Sequence, residues 1–161
     1  MNISLNTIRH CLEGVIPGVV ATCDADGLPN VSYVSQVHFV DANQIALSFQ
    51  FFNKTRQNML QNPQLTAYVI DPVTTARYRL ALLYLRTETE GPLFQNMKAK
   101  LAGIASHTGM SGVFELRGAD ICRVLQIERV PCVEGVRQEP ARNWLAILRG
   151  LGERICRHRS A

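Results

Sequence analysis

The spacing of hydrophobic positions changes along this chain, and each change marks an element. Gly18 to Cys23 is a short apolar run that stops at Asp24-Ala25-Asp26-Gly27, where the Asp-Gly pair signals a hairpin turn. Val31 to Val40 reads Val-Ser-Tyr-Val-Ser-Gln-Val-His-Phe-Val. As one extended strand it puts Ser32, Val34, Gln36 and His38 on one face, and Tyr33, Ser35, Val37 and Phe39 on the other. Asp41-Ala42-Asn43 then turns the chain into a third strand, Ile45 to Phe52. Gln64 to Ile70 is apolar and ends at Asp71-Pro72. Arg77 to Glu90 is a long strand or strand pair with a polar end, and Gly118 to Val130 is a last strand rich in Val, Ile and Leu.

Helical spacing appears elsewhere. Leu5, Ile8 and Leu12 share one face of an N-terminal helix with Gly14 as its stop. Phe94, Met97, Leu101 and Ile104 form the buried face of another. After Pro131 and Pro140 comes a stripe of Trp144, Ile147, Leu148, Leu151 and Ile155. The sum is an α+β fold, a six-stranded antiparallel β-barrel with flanking helices. It occupies residues 1–130, and residues 131–161 form a linker and C-terminal amphipathic helix. No Gly-x-Gly-x-x-Gly follows any strand, so a dinucleotide fold is not indicated.

The segment Ser48 to Pro63 carries the clearest chemistry. The third strand runs into Asn53, a good N-cap, and Pro63 ends the short helix that follows. Lys54 and Arg56 sit in its first turn, where the helix dipole is already positive and acids are the favourable choice. Two cations, the Thr55 hydroxyl and first-turn amides together suit an anion such as phosphate. The plainer alternative is a solvated helix start whose long side chains reach into water.

Three stretches add a family resemblance: Ala21-Thr-Cys-Asp-Ala-Asp-Gly-Leu-Pro-Asn-Val-Ser-Tyr-Val-Ser, Ala46-Leu-Ser-Phe, and Asn53-Lys-Thr-Arg-Gln-Asn-Met-Leu-Gln-Asn-Pro. In order and spacing they resemble the pyridoxamine 5'-phosphate oxidase-related, FMN-binding split-barrel proteins, most of all those in which this domain precedes a GAF-type signalling domain. Arg86 to Phe94 and Ala105 to Leu116 extend the likeness, which covers about residues 5 to 130.

The resemblance implies a split barrel, FMN as cofactor, and a homodimer with two cofactor sites at the subunit interface. It implies that Ser32, Tyr33, Val34 and Ser35 lie beside the isoalloxazine ring and phosphate. Ser48, Phe49 and Gln50 join them from the third strand, and Asn53, Lys54, Thr55 and Arg56 hold the phosphate. Arg77 and Tyr78 correspond to positions that reach the ring from the partner subunit. Two departures stand out. This chain has Ser32 and Val37 where the oxidase carries cationic residues, and no Arg-x-His-type substrate motif follows Val130. The first weakens the contacts to the FMN phosphate, and the second argues against oxidation of pyridoxamine phosphate itself.

Composition narrows the picture further. A chain of 161 residues with 47% hydrophobic and 19% charged residues can bury one ordinary core. The net charge of +4 lies in the tail, since six arginines and two glutamates follow residue 136. The body is neutral, with eleven residues of each sign, which speaks against nucleic-acid binding. There is no apolar run of membrane-spanning length and no basic-then-apolar leader, so a cytoplasmic location with no membrane contact is expected. Cys11, Cys23, Cys122, Cys132 and Cys156 contain no Cys-x-x-Cys pair and read as free thiols rather than disulfides or a zinc site. His107 at a helix end is the residue a haem-binding barrel would use, although the helix dipole alone explains it.

No triad, carboxylate pair or metal spacing stands out, so any catalysis belongs to the cofactor. The expected function is an FMN-binding oxidoreductase. The alternative is a non-catalytic module that senses flavin or a related ligand and signals through the tail helix.

Overall fold

The computed structural model describes residues 3–12, 16–51, 53–107 and 115–131. Gly14, Gly109 and the amphipathic stripe from Trp144 to Ile155 lie outside the described residues, as does the side chain of Asn53. The described residues of the unit Met1–Val130 form seven strands, β1 (Gly18–Cys23), β2 (Pro29–Val34), β3 (Val37–Phe39), β4 (Gln44–Phe49), β5 (Gln64–Ile70), β6 (Arg77–Glu88) and β7 (Gly118–Val130). Helix α1 (Asn53–Gln61) follows β4, and α2 (Pro92–His107) joins β6 to β7. All pairings are antiparallel, in the order β2-β1-β5-β6-β7-β4-β3. The result is the α+β, curled antiparallel barrel sheet that the hydrophobic pattern suggests.

The count of six strands is corrected to seven because Val31 to Val40 is not one strand. Val34 and Val37 are both buried in the core, three residues apart, so the two-residue alternation slips at Ser35-Gln36. Before the slip the strand pairs with β1 (Ser32 opposite Val20). After it, the chain pairs with β4 (Val37 opposite Leu47). Gln36 fixes the corner: its amide donates to Ser48 Oγ at 3.1 Å, and its carbonyl accepts from the Ser48 amide at 3.0 Å. One continuous segment thereby serves both edges of the sheet, which helps curl it.

Two cores follow from the two faces. Inside the curl, Val20, Val34, Leu47, Leu65, Leu80 and Leu82 pack with Met59 from α1. On the outside of β4 and β7, Ala46, Ala119 and Ile121 are covered by Phe94, Met97 and Leu101 of α2. Ala105 completes the buried stripe of α2, and Ile104 is half-buried.

Leu5, Ile8 and Leu12 are buried, but the N-terminal segment is a series of turns with one 3₁₀ helix, η1 (Arg9–Leu12). A spacing of three to four residues satisfies either conformation. Burial, with the Asp71 carboxylate nearby, pushes the Cys11 thiol up to about 11, and burial also raises Cys122. The β1–β2 turn is set by Gly27 at φ 82° and by Asp24, whose Oδ1 accepts from the amides of Asp26 and Leu28.

Candidate functional site

Helix α1 begins beside the open edge of the sheet, and its first turn meets β2. The Thr55 hydroxyl is buried at 4% exposure, 2.7 Å from Ser32 Oγ and 2.9 Å from the Asn30 amide nitrogen that donates to it. One turn further on, the Asn58 side-chain amide donates to Thr22 Oγ1 at 3.1 Å. Helix and strands are thus stitched together by a row of neutral polar groups, because Thr22, Asn30 and Ser32 all point to the α1 side.

The two first-turn cations are held apart from each other. Lys54 Nζ donates to Asp24 Oδ2 at 2.8 Å in the β1–β2 turn. That bond and the Leu28 amide hold the Asp24 carboxyl below the usual carboxylate range. Arg56 reaches inward, donating to Thr87 Oγ1 at 2.9 Å and to Asp120 Oδ1 at 3.3 Å. Its guanidinium also lies 4.7 Å from the centre of the Phe49 ring, within cation–π range. Thr87 donates to the same Asp120 oxygen at 2.5 Å, and the Tyr84 hydroxyl lies 2.8 Å from Thr87 Oγ1. Asp120 is 3% exposed, and burial raises its carboxyl above the ordinary value, opposed by Thr87 and Arg56. The sequence reading of two cations awaiting an anion is therefore incomplete, since each cation already has a carboxylate partner.

The residues singled out from the sequence come together only in part. Ser32, Thr55 and Arg56 converge at the start of α1, with Ser48 and Phe49 beside Arg56 and Lys54 on the turn side. Val34 is a core residue, and Ser48 is buried with its hydroxyl oxygen accepting from the Gln36 amide. Tyr33 is 69% exposed on the opposite face of β2, with Ser35 half-buried at the corner. Gln50 is buried, and neither its Nε2 nor Gln36 Oε1 has a hydrogen-bond partner among the described residues. Arg77 and Tyr78 start β6, where they face Val130 and Arg129 of β7, away from α1.

Asp24, Asn30, Thr87 and Asp120 complete the constellation, and the sequence reading passed over them. A single acid inside the otherwise apolar start of β7 is a signal in itself, because a buried carboxylate requires a partner.

The arrangement suits a phosphate in its donor chemistry: two hydroxyls, a carboxamide and two cations around one helix start. The crevice between Thr55, Arg56, Phe49 and Asp120 has a volume of only about 10 Å³. A flavin ring cannot enter it.

No curated protein matches the chain. Among solved structures, an FMN-binding protein from Syntrophomonas wolfei subsp. wolfei superposes with a TM-score of 0.67. It is 16% identical, over 81% of this chain and 88% of that one. HupZ of Group A Streptococcus gives a TM-score of 0.58 at 22% identity, over 78% and 92% of the two chains. An F420 reductase gives 0.53 at 17% identity, over 73% and 93%. At these identities the likeness is one of fold. Residues 5–112, from the N-terminal turns past the end of α2, match the family model described as pyridoxamine 5'-phosphate oxidase, and the chain belongs to that family.

Proposed function

We propose that the protein is an FMN-binding flavoprotein of oxidoreductase type, working as a homodimer, with a substrate other than pyridoxamine phosphate. The observation that carries this reading is the Ser32–Thr55–Arg56 cluster at the start of α1. Ser32 and Thr55 offer hydroxyls to the phosphate, Asn30 its amide, and Lys54 and Arg56 supply charge from either side. The flavin, when bound, supplies the hydride or electron chemistry that no side chain here provides. The protein's part is to hold the phosphate and to orient the ring. The family membership and the FMN-binding protein from Syntrophomonas wolfei support the choice of flavin. The lack of an Arg-x-His-type motif between Val130 and Ala161 supports a substrate other than pyridoxamine phosphate.

A dimer supplies a wall for the flavin ring. The outer face of the sheet carries two rows of cross-strand partners. One runs Tyr33, Val19, Tyr68, Arg79 and Glu128; the other runs Val31, Ala21, Thr66, Ala81 and Gln126. A groove of about 280 Å³ lies between the two rows, lined by residues of both. Tyr33, Val31 and Leu125 are more than half exposed on this side of the chain. Such a face is mixed in character and broad enough for a second copy.

The second reading, a flavin- or ligand-sensing module acting through a downstream signalling domain, rests on the paired state of the cations. A ligand that takes Arg56 from Asp120 rearranges a buried network, which is what a sensor requires. The visible spectrum of purified protein, repeated after adding FMN and removing the excess, tests the cofactor. Two retained flavin bands are expected, and they should be lost in the Lys54→Ala, Arg56→Ala double variant. Retention of full flavin content by that folded variant overturns the phosphate assignment. Turnover of a bound flavin with a nicotinamide reductant separates enzyme from sensor.

A further inference from the structure

We propose that His10, Cys11 and Asp71 form a binding site for a thiophilic divalent cation of the zinc type. The imidazole, thiol and carboxylate ligand atoms lie within 4.8 Å of one another. They come from η1 and from the turn after β5, so the fold itself brings together residues about sixty apart in sequence. His10 Nε2 is 3.2 Å from Asp71 Oδ2.

Three features separate this cluster from a surface ion pair. Two of the three donors are buried, with Cys11 at 7% and Asp71 at 5% exposure. The set contains one nitrogen, one sulfur and one oxygen, which favours zinc-like ions over magnesium or calcium. Thiolate and carboxylate together are balanced by a divalent charge. Asp71 is also oriented as a metal-binding carboxylate usually is. Its Oδ1 accepts from the amides of Val73 at 2.8 Å and Thr74 at 3.2 Å, and Oδ2 accepts from the Thr74 hydroxyl. Oδ2 is the oxygen turned toward His10, so a cation replaces that contact and leaves the turn intact.

Donor atoms around a tetrahedral zinc are about 3.5 Å apart, given bonds of about 2.0 to 2.3 Å. Since no separation here exceeds 4.8 Å, closure by at most roughly an ångström completes that geometry. The His10 side chain is 54% exposed, free to make that adjustment, and marks the entry path. Three protein ligands leave a position for water or an exogenous group.

The site is independent of the flavin reading. Asp24, which holds Lys54, follows the Cys23 end of β1, whereas Asp71 lies beyond Tyr68, the partner of Val19 at the other end. A ligand at one end therefore tests nothing about the other.

The test is calorimetric titration of Zn²⁺ into the full-length protein freed of metal by chelator and kept reduced. Visible spectra with Co²⁺ report thiolate coordination. One equivalent per chain is expected, with affinity falling at least tenfold in His10→Ala and in Cys11→Ser. Zn²⁺ should raise the melting temperature of the wild type and not that of either variant. Cys132 and Cys156 are alternative thiols, so the Cys132→Ser, Cys156→Ser double variant should bind like the wild type. No uptake by the wild type, or uptake unchanged in His10→Ala, overturns the site. So does binding that disappears only in the tail variant. His10 is half-exposed and its replacement keeps the core, so this arm stands even if Cys11→Ser folds poorly.

Discussion

Arg56, in the first turn of α1, donates a hydrogen bond at 3.3 Å to Asp120 on β7, sixty-four residues away. Each residue explains the other. An arginine at a helix start opposes the dipole, and a carboxylate at 3% exposure loses its hydration. Together they form a partly buried pair, which Thr87 and the Phe49 ring hold in place. Any anion that binds Arg56 must compete with Asp120.

Replacing Asp120 by Asn should therefore tighten phosphate binding. Arg56 keeps its orientation through the Thr87 hydroxyl and Phe49, and the competing charge is gone. A gain of about tenfold in FMN affinity is expected, equivalent to about 1.4 kcal/mol. Titration followed by quenching of flavin fluorescence measures it. An unchanged or weaker affinity would mean that Asp120 orients Arg56 rather than competing for it.

Asp120 also sets a pH trend. Its pKa is raised above the ordinary value of 3.8, so the folded state holds this proton more tightly than the unfolded chain. The resulting stability is fully present below about pH 3.8 and is lost as pH rises through the raised value. Urea midpoints of wild type minus Asp120→Asn should fall with rising pH in the acidic range. A difference independent of pH would show that Asp120 titrates normally.

Thr55 tests the neutral part of the site. Thr55→Val keeps the shape of a buried side chain but removes the hydroxyl that partners Ser32 and Asn30. A loss of about 1–3 kcal/mol is expected from the two polar groups left without it. Chemical unfolding provides that number. Weaker FMN binding by the same variant, compared at equal folded fraction, would separate a ligand role from a purely structural one.

Gly118 couples packing to the Arg56 network. A methyl group placed there meets Thr87 Cγ2 at 2.6 Å, and Thr87 bonds both Arg56 and Asp120. Gly118→Ala should destabilise by about 1–3 kcal/mol and disturb anion binding as well. If unfolding shows the full stability of the wild type, Thr87 has moved without cost and the network is looser than its distances imply.

Much of the fold was legible because its punctuation is strong. Gln64 to Ile70 sits between Pro63 and Asp71-Pro72, and Gly118 to Val130 begins at a glycine. Both strands fall where the sequence puts them. The slip at Ser35-Gln36 leaves only a faint mark in the sequence, two polar residues in a row between Val34 and Val37. The change of pairing partner from β1 to β4 makes it plain. Lys54 and Arg56 were visible as an unusual helix start, but their partners were not. Asp24 lies in a turn rich in acids, and Asp120 lies far along the chain. Long-range ion pairs carry no spacing signal; the lone acid inside an apolar strand was the available hint.

The last prediction concerns the outer face of the sheet. Val31 and Ala21 are cross-strand partners there, as are Tyr33 and Val19, and Val31 and Tyr33 are 64% and 69% exposed. If this face joins two copies, a charge at its edge is desolvated on association and costs far more in the dimer than in the free chain. Val31→Asp should convert a dimer at micromolar concentration into a monomer with unchanged circular dichroism, because the side chain leaves the internal core untouched. Flavin should be lost with the partner if the ring site needs both subunits. Sedimentation equilibrium distinguishes the outcomes. A wild-type monomer, or a dimer unaffected by the new charge, moves the interface elsewhere.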